Sequence, residues 1–141
     1  MLAKQLSIFL ENKSGRLTEV TEVLGREQIN LSAMSIADNS DFGILRCIVS
    51  DPDRASQVLR DAGFTVKVTD VIGLCVPNTA GSLATVLKFL SDHGVFIEYL
   101  YSFSNGDVAH VVIRPSDLIQ CESILQNKKV ELMNANELYK M

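Results

Sequence analysis

LSIFLENKSGRL (residues 6–17) and IGLCVPNTAGSL (residues 72–83) are one pattern written twice. In each, apolar residues fall at every second position, an Asn introduces a break, and a Gly stands two residues before a Leu that opens a helical spacing. The register then continues without a gap. A shift of 66 residues lays Leu6 to Val66 over Ile72 to Leu132 and pairs ten identical residues in 61 positions, among them Asn12/Asn78, Gly15/Gly81, Leu17/Leu83, Asp51/Asp117 and Leu59/Leu125. Such a register needs every strand, helix and turn to recur at the same length, so the chain is two copies of one small unit.

Working outward in the first copy, Leu6, Ile8 and Leu10 alternate with Gln5, Ser7, Phe9 and Glu11 as in a strand with one buried face. After the break at Asn12-Lys13-Ser14-Gly15, the spacing of Leu17, Val20, Val23 and Leu24 predicts a helix from Ser14 to Glu27. Ile29 to Ala37 and Phe42 to Val49 read as a hairpin, Asp51-Pro52-Asp53 opens a second helix that Gly63 ends, and Phe64 to Val68 is a fourth strand. The second copy predicts strand 71–76, a helix to His93, strands 95–103 and 108–114 about Asn105-Gly106-Asp107, helix 116–126 and strand 130–133. Each unit therefore reads βαββαβ. Right-handed crossovers turn that order into an antiparallel sheet with both helices on one face. The expected class is α+β, two ferredoxin-like units in tandem at residues 1–69 and 70–141, joined through Thr69-Asp70 alone.

The face away from the helices carries Phe42, Ile44, Arg46 and Ile48 in one unit and Val108, His110, Val112 and Arg114 in the other. It is too apolar for bare surface, which predicts association through the sheet and a homodimer. A net charge of -4 with scattered basic residues argues against nucleic acid as a partner. The apolar stretch Leu6 to Leu10 is too short for a signal or a membrane span, so the expectation is a cytoplasmic protein without a membrane partner. Cys47, Cys75 and Cys121 are odd in number and far apart, which predicts buried reduced thiols rather than disulfides or a metal site. No cofactor is expected.

The strand, then Asn12-Lys13-Ser14-Gly15-Arg16-Leu17, then a helix, then Ile29-Asn30-Leu31 resembles the ACT domain, an amino-acid-binding regulatory module of metabolic enzymes. Asn78-Thr79-Ala80-Gly81-Ser82-Leu83 followed by Val95-Phe96-Ile97 resembles it equally, so the likeness covers nearly the whole chain. The resemblance implies a non-catalytic sensor. A free amino acid would bind at the first strand-to-helix loop, at the junction between units, and the bound state would pass to an enzyme of amino-acid metabolism or through the oligomer. Ser14 and Ala80 stand where the family commonly has proline.

Physical chemistry gives the loop the same job. A helix start offers unpaired N–H groups and the positive end of the dipole, glycine lets a ligand approach the backbone, and an α-carboxylate suits both. The candidate ligand-binding residues are accordingly Asn12, Ser14, Gly15, Arg16, Leu17 and Asn78, Ala80, Gly81, Ser82, Leu83. The two Asn carboxamides could contact a carboxylate and an ammonium, or simply hold the turn. Asp38, Asn39 and Asp41 read as hairpin residues first and as a carboxylate for a ligand ammonium second. Tyr99, Tyr101 and Phe103 form a stripe read as core or interface, and His110 as interface packing. Two other functions fit the topology: a ligand-free adaptor using the open sheet face, and an acylphosphatase-like enzyme using Arg16 and Asn30, which the second copy replaces with Ser82 and Phe96.

Overall fold

The computed structural model describes residues 2–11, 13–38 and 41–141. Two compact units form. One comprises Lys4–Thr69 with Leu138–Met141, the other Asp70–Glu137 with the first residues up to Ala3. Each is an α+β unit of the βαββαβ kind.

The first contains β1 (Ala3–Glu11), α1 (Arg16–Arg26), β2 (Leu31–Asp38), β3 (Phe42–Val49), α2 (Pro52–Asp61) and the start of β4 (Thr65–Pro77). Its strands neighbour one another in the order β2-β3-β1-β4, with β3 antiparallel to both β1 and β2. The alternation read from sequence turns Leu6, Ile8 and Leu10 of β1 and Leu45, Cys47 and Val49 of β3 to the side where Val20, Leu24, Ala55 and Leu59 of the helices meet them. Burying such side chains contributes about 1.5–3 kcal/mol each. The second unit runs from the rest of β4 through α3 (Ser82–Asp92), β5 (Ile97–Asn105), β6 (Val108–Pro115), α4 (Leu118–Lys128) and β7 (Glu131–Met133). The neighbours there are β7-β4-β6-β5. Its core joins Ile72, Leu74 and Val76 to Val111, Ile113, Leu90, Cys121 and Leu125.

The repeated Asp is a helix cap in both units. Asp51 Oδ1 accepts from the Arg54 N–H at 3.2 Å with Pro52 in the first turn, and Asp117 Oδ1 accepts from the Gln120 N–H at 3.0 Å. This satisfies one of the orphan donors at each helix start.

Three features depart from the sequence reading. The strands expected at 64–68 and 71–76 are one element, β4, because Thr69-Asp70 contains neither Gly nor Pro and extended backbone simply continues. A fifth helix, α5 (Ala135–Tyr139), follows β7. Asn134 Oδ1 accepts from the Glu137 N–H at 2.9 Å while Asn134 Nδ2 donates to Glu137 Oε1 at 2.7 Å, a reciprocal cap that N-x-x-E in the sequence announces. Beyond it Leu138 is fully buried, the Tyr139 hydroxyl accepts from the Lys4 N–H at 2.7 Å, and the Ser32 hydroxyl donates to the Tyr139 carbonyl at 3.1 Å. Third, the face away from the helices is not bare along its length. Ile48 and Val112 are fully buried, covered within the chain itself, and Phe42 and Val108 at its end stay exposed.

Candidate functional site

Gly15 and Gly81 sit at the helix starts in the left-handed region, φ 92° and 88°, so the chain can turn from strand into helix within a few residues. A Cβ built on either would meet no atom within 4 Å. The backbone conformation, rather than crowding, reserves these positions for glycine. Among the described residues neither helix has a side-chain cap at this end, unlike the Asp-capped α2 and α4.

At the start of α1 a cleft of about 410 Å³ opens. Leu10, Gly43 and Asp38 form one row across β1, β3 and β2 beneath it. Gly43 has no side chain to fill the floor. Ser14, Arg16 and Leu17 line it from the loop and helix, with Glu11, Lys13 and Ile36 completing the wall. Two cations and two anions thus surround one cavity. They are not equivalent. Glu11 lies 3.1 Å from Arg16 Nη2 and 3.6 Å from Lys13 Nζ, and Lys13 first, then Arg16, hold its carboxyl below the ordinary carboxylate range. Arg16 Nη1 donates to Glu19 at 2.9 Å, its guanidinium lies over the Phe64 ring at 5.1 Å, and its buried Nε has no hydrogen-bond partner among the described residues. The Asp38 carboxylate makes no hydrogen bond or ion pair among the described residues.

Of the residues proposed from sequence in the first loop, Ser14, Arg16 and Leu17 line the cleft and Gly15 shapes it. Asn12 lies outside the described residues, as does Asn39 of the hairpin. Glu11, Lys13, Ile36 and Gly43 were missed, because their contribution depends on which strand ends the fold brings beside the helix start. Counting strand parity from Leu10 and across the hairpin would have placed Ile36 and Asp38 there.

The second loop is differently occupied. Asn78 Nδ2 donates to the Gly106 carbonyl at 2.9 Å, Asn78 Oδ1 accepts from the Ser104 hydroxyl at 3.3 Å, and the Asn78 N–H donates to the Asp107 carbonyl at 2.8 Å. Asn78 is therefore a clamp on the β5–β6 turn. Thr79 Oγ1 and Ser82 Oγ lie 2.7 Å apart, and the Ser82 N–H donates to the Thr79 carbonyl at 3.2 Å. Ala80 and Gly81 are exposed, and Leu83 is half-buried beside the core.

Elsewhere, Phe103 stacks on His110 with centroids 5.1 Å apart, and Cys75 Sγ lies 3.5 Å from His110 Nδ1. Tyr99, Tyr101 and Phe103 are half-buried and share their side of the sheet with Arg114, Val112 and His110. Among the described residues no three His, Cys, Asp or Glu side chains could jointly hold a metal ion. Cys47 and Cys121 are buried and Cys75 half-buried, all three unpaired. Burial pushes the Cys47 thiol up to about 12 and, with help from Asp117, the Cys121 thiol to about 11. No helix among the described residues is long and apolar enough to cross a membrane.

A family model described as an ACT domain pair matches residues 1–141. The crystal structure of protein BT0572 from Bacteroides thetaiotaomicron superposes with a TM-score of 0.97 at 64% identity, covering 100% of this chain and 98% of that one. Two further structures share the fold. The regulatory subunit of aspartate kinase from Thermus thermophilus, in its ligand-free form, gives a TM-score of 0.67 at 14% identity over 92% of this chain and 95% of that one. The regulatory subunit of aspartate kinase from Thermus flavus gives 0.64 at 15% over 89% and 92%. No curated protein matches.

Proposed function

From the family to which this chain belongs, the ACT domain pair, we propose a non-catalytic regulatory protein that binds a free amino acid at its first strand-to-helix loop. The observation that carries this reading is the cleft at the start of α1, where the first residues of the helix and the Asp38 carboxylate, which has no partner among the described residues, border one cavity. A free α-amino acid presents an anion and a cation on one carbon. Its carboxylate suits the first turn of α1, where the dipole and orphan N–H groups favour negative charge, and its ammonium suits Asp38. Binding then shifts whichever arrangement of the protein holds the cleft closed around the ligand, and that shift is what a partner senses. The partner in this reading is an enzyme of amino-acid metabolism, the protein acts in the cytoplasm, and it works as a homodimer, for which Phe42 and Val108 supply exposed apolar surface.

A calorimetric screen of the twenty amino acids against ligand-stripped protein tests the reading. Heat and a thermal shift with at least one of them are expected. Silence with all twenty would leave the protein an adaptor without a small ligand. Sedimentation as a monomer at micromolar concentration would remove the homodimer.

A further inference from the structure

We propose that the two strand-to-helix loops are unequal: each chain takes up one ligand, in the first unit, and that ligand is a zwitterionic amino acid with an aliphatic side chain. This rests on the amino-acid reading above and narrows it to one loop and one ligand class.

The two loops share a backbone. Both helix starts use a left-handed glycine, and Val76, Ala109 and Ser104 form the same row across three strands that Leu10, Gly43 and Asp38 form in the first unit. Equivalent side chains can therefore be compared as if one had been substituted for the other. Glu11, Lys13, Arg16 and Asp38 give way to Pro77, Thr79, Ser82 and Ser104. Every charge that lines the first cleft is gone from the second loop. The hydroxyls and amide left behind are spent on one another and on the hairpin, Thr79 on Ser82 and Asn78 on Gly106 and Ser104. At the floor, Gly43 becomes Ala109, and at the wall Ile36 becomes Ser102. A zwitterion entering the second loop would surrender hydration of its ammonium with no carboxylate from these positions to replace it.

The lining of the first cleft also selects the side chain. Its charges balance, and with Glu11 already held by Lys13 and Arg16, Asp38 is left to meet one cation. A ligand of no net charge keeps the balance, whereas a Lys or Glu ligand adds a third charge without a counterpart. Leu17 and Ile36 stand 38% and 49% exposed at the cleft, large aliphatic surface that an aliphatic side chain would cover.

Nitrogen-labelled protein titrated with each of the twenty amino acids at millimolar concentration decides this by amide NMR, with calorimetric stoichiometry on every binder. The expected result is binding of L-valine, L-leucine or L-isoleucine at one per chain, with shifts in Ser14–Thr18, Ile36 and Asp38 and none in Ala80–Thr85. Asp38→Asn should weaken that binding about tenfold or more, since it removes the charge from an ion-assisted hydrogen bond, whereas Ser104→Ala should leave it unchanged. Two ligands per chain, or shifts at both helix starts, would overturn the inequality and leave the amino-acid reading standing. Binding confined to amino acids with charged or polar side chains would overturn the ligand class alone. Silence throughout would overturn the parent reading and this one with it.

Discussion

The Asn78 carboxamide nitrogen lies 2.9 Å from the Gly106 carbonyl and donates to it, tying the loop before α3 to the turn between β5 and β6. An asparagine identical in both repeats and placed at a candidate binding loop thus has a structural task in the second unit.

Asn78→Ala removes this bond and the one from Ser104, both at an exposed site, and should destabilise the second unit by about 1 kcal/mol. The urea midpoint should fall with the slope unchanged. An unmoved midpoint would mean that water replaces the carboxamide without loss.

Gly63 and Lys129 fill equivalent positions after α2 and α4, both left-handed, with φ 94° and 61°. Only the glycine is at ease there. Lys129→Gly should stabilise by about 1 kcal/mol, and Gly63→Ala should destabilise by a similar amount, each read from thermal unfolding. The same direction for both substitutions would refute the conformational explanation.

Leu138 is fully buried although α5 was not foreseen. Leu138→Ala should cost about 2–5 kcal/mol, and amide exchange should accelerate at Lys4, whose N–H is bonded to the Tyr139 hydroxyl. If stability holds and Lys4 stays protected, the tail contributes nothing to the unit it joins.

The Cys47 thiol, held near 12 by burial, is protonated at neutral pH and shielded, so a thiol reagent should modify it only after unfolding. The folded state holds this proton more tightly than the unfolded chain. Its stabilising contribution is therefore complete below the ordinary thiol range and is lost as pH rises from there toward about 12. Cys47→Ser should soften the alkaline arm of the stability curve. Rapid modification of Cys47 in the native protein at neutral pH would contradict the assignment.

Much of the fold was legible because its signals are local. Leu6, Ile8 and Leu10 at period two, Pro52 after a capping Asp, and a repeat without gaps fix element types and order. What escaped has physical causes. Thr69-Asp70 carries no breaker, so nothing local said whether one strand ended there. Ile48 and Val112 alternate correctly, but alternation assigns a side of the sheet and not what covers it. At the site, the loop pattern marked Gly15 and Gly81, and their positive φ adds a conformational need for glycine that no local pattern states. Ile36 was hard to see because it comes to the cleft from another strand, some twenty residues along the chain, and Asp38 beside it was named only as the second reading of a hairpin residue.

The attachment of Leu138–Met141 to the first unit has a consequence for synthesis. A ribosome finishes Lys4–Thr69 before the second unit, yet the buried Leu138 side chain and the Tyr139 groups that meet the Lys4 amide and the Ser32 hydroxyl are translated only after that unit. The nascent first unit must wait, incomplete, for a piece of its own fold made after the second unit, although vectorial synthesis ordinarily lets a domain close as soon as it emerges. Any chain stalled or clipped before Leu138 leaves that unit unfinished although its own strands and helices are already made.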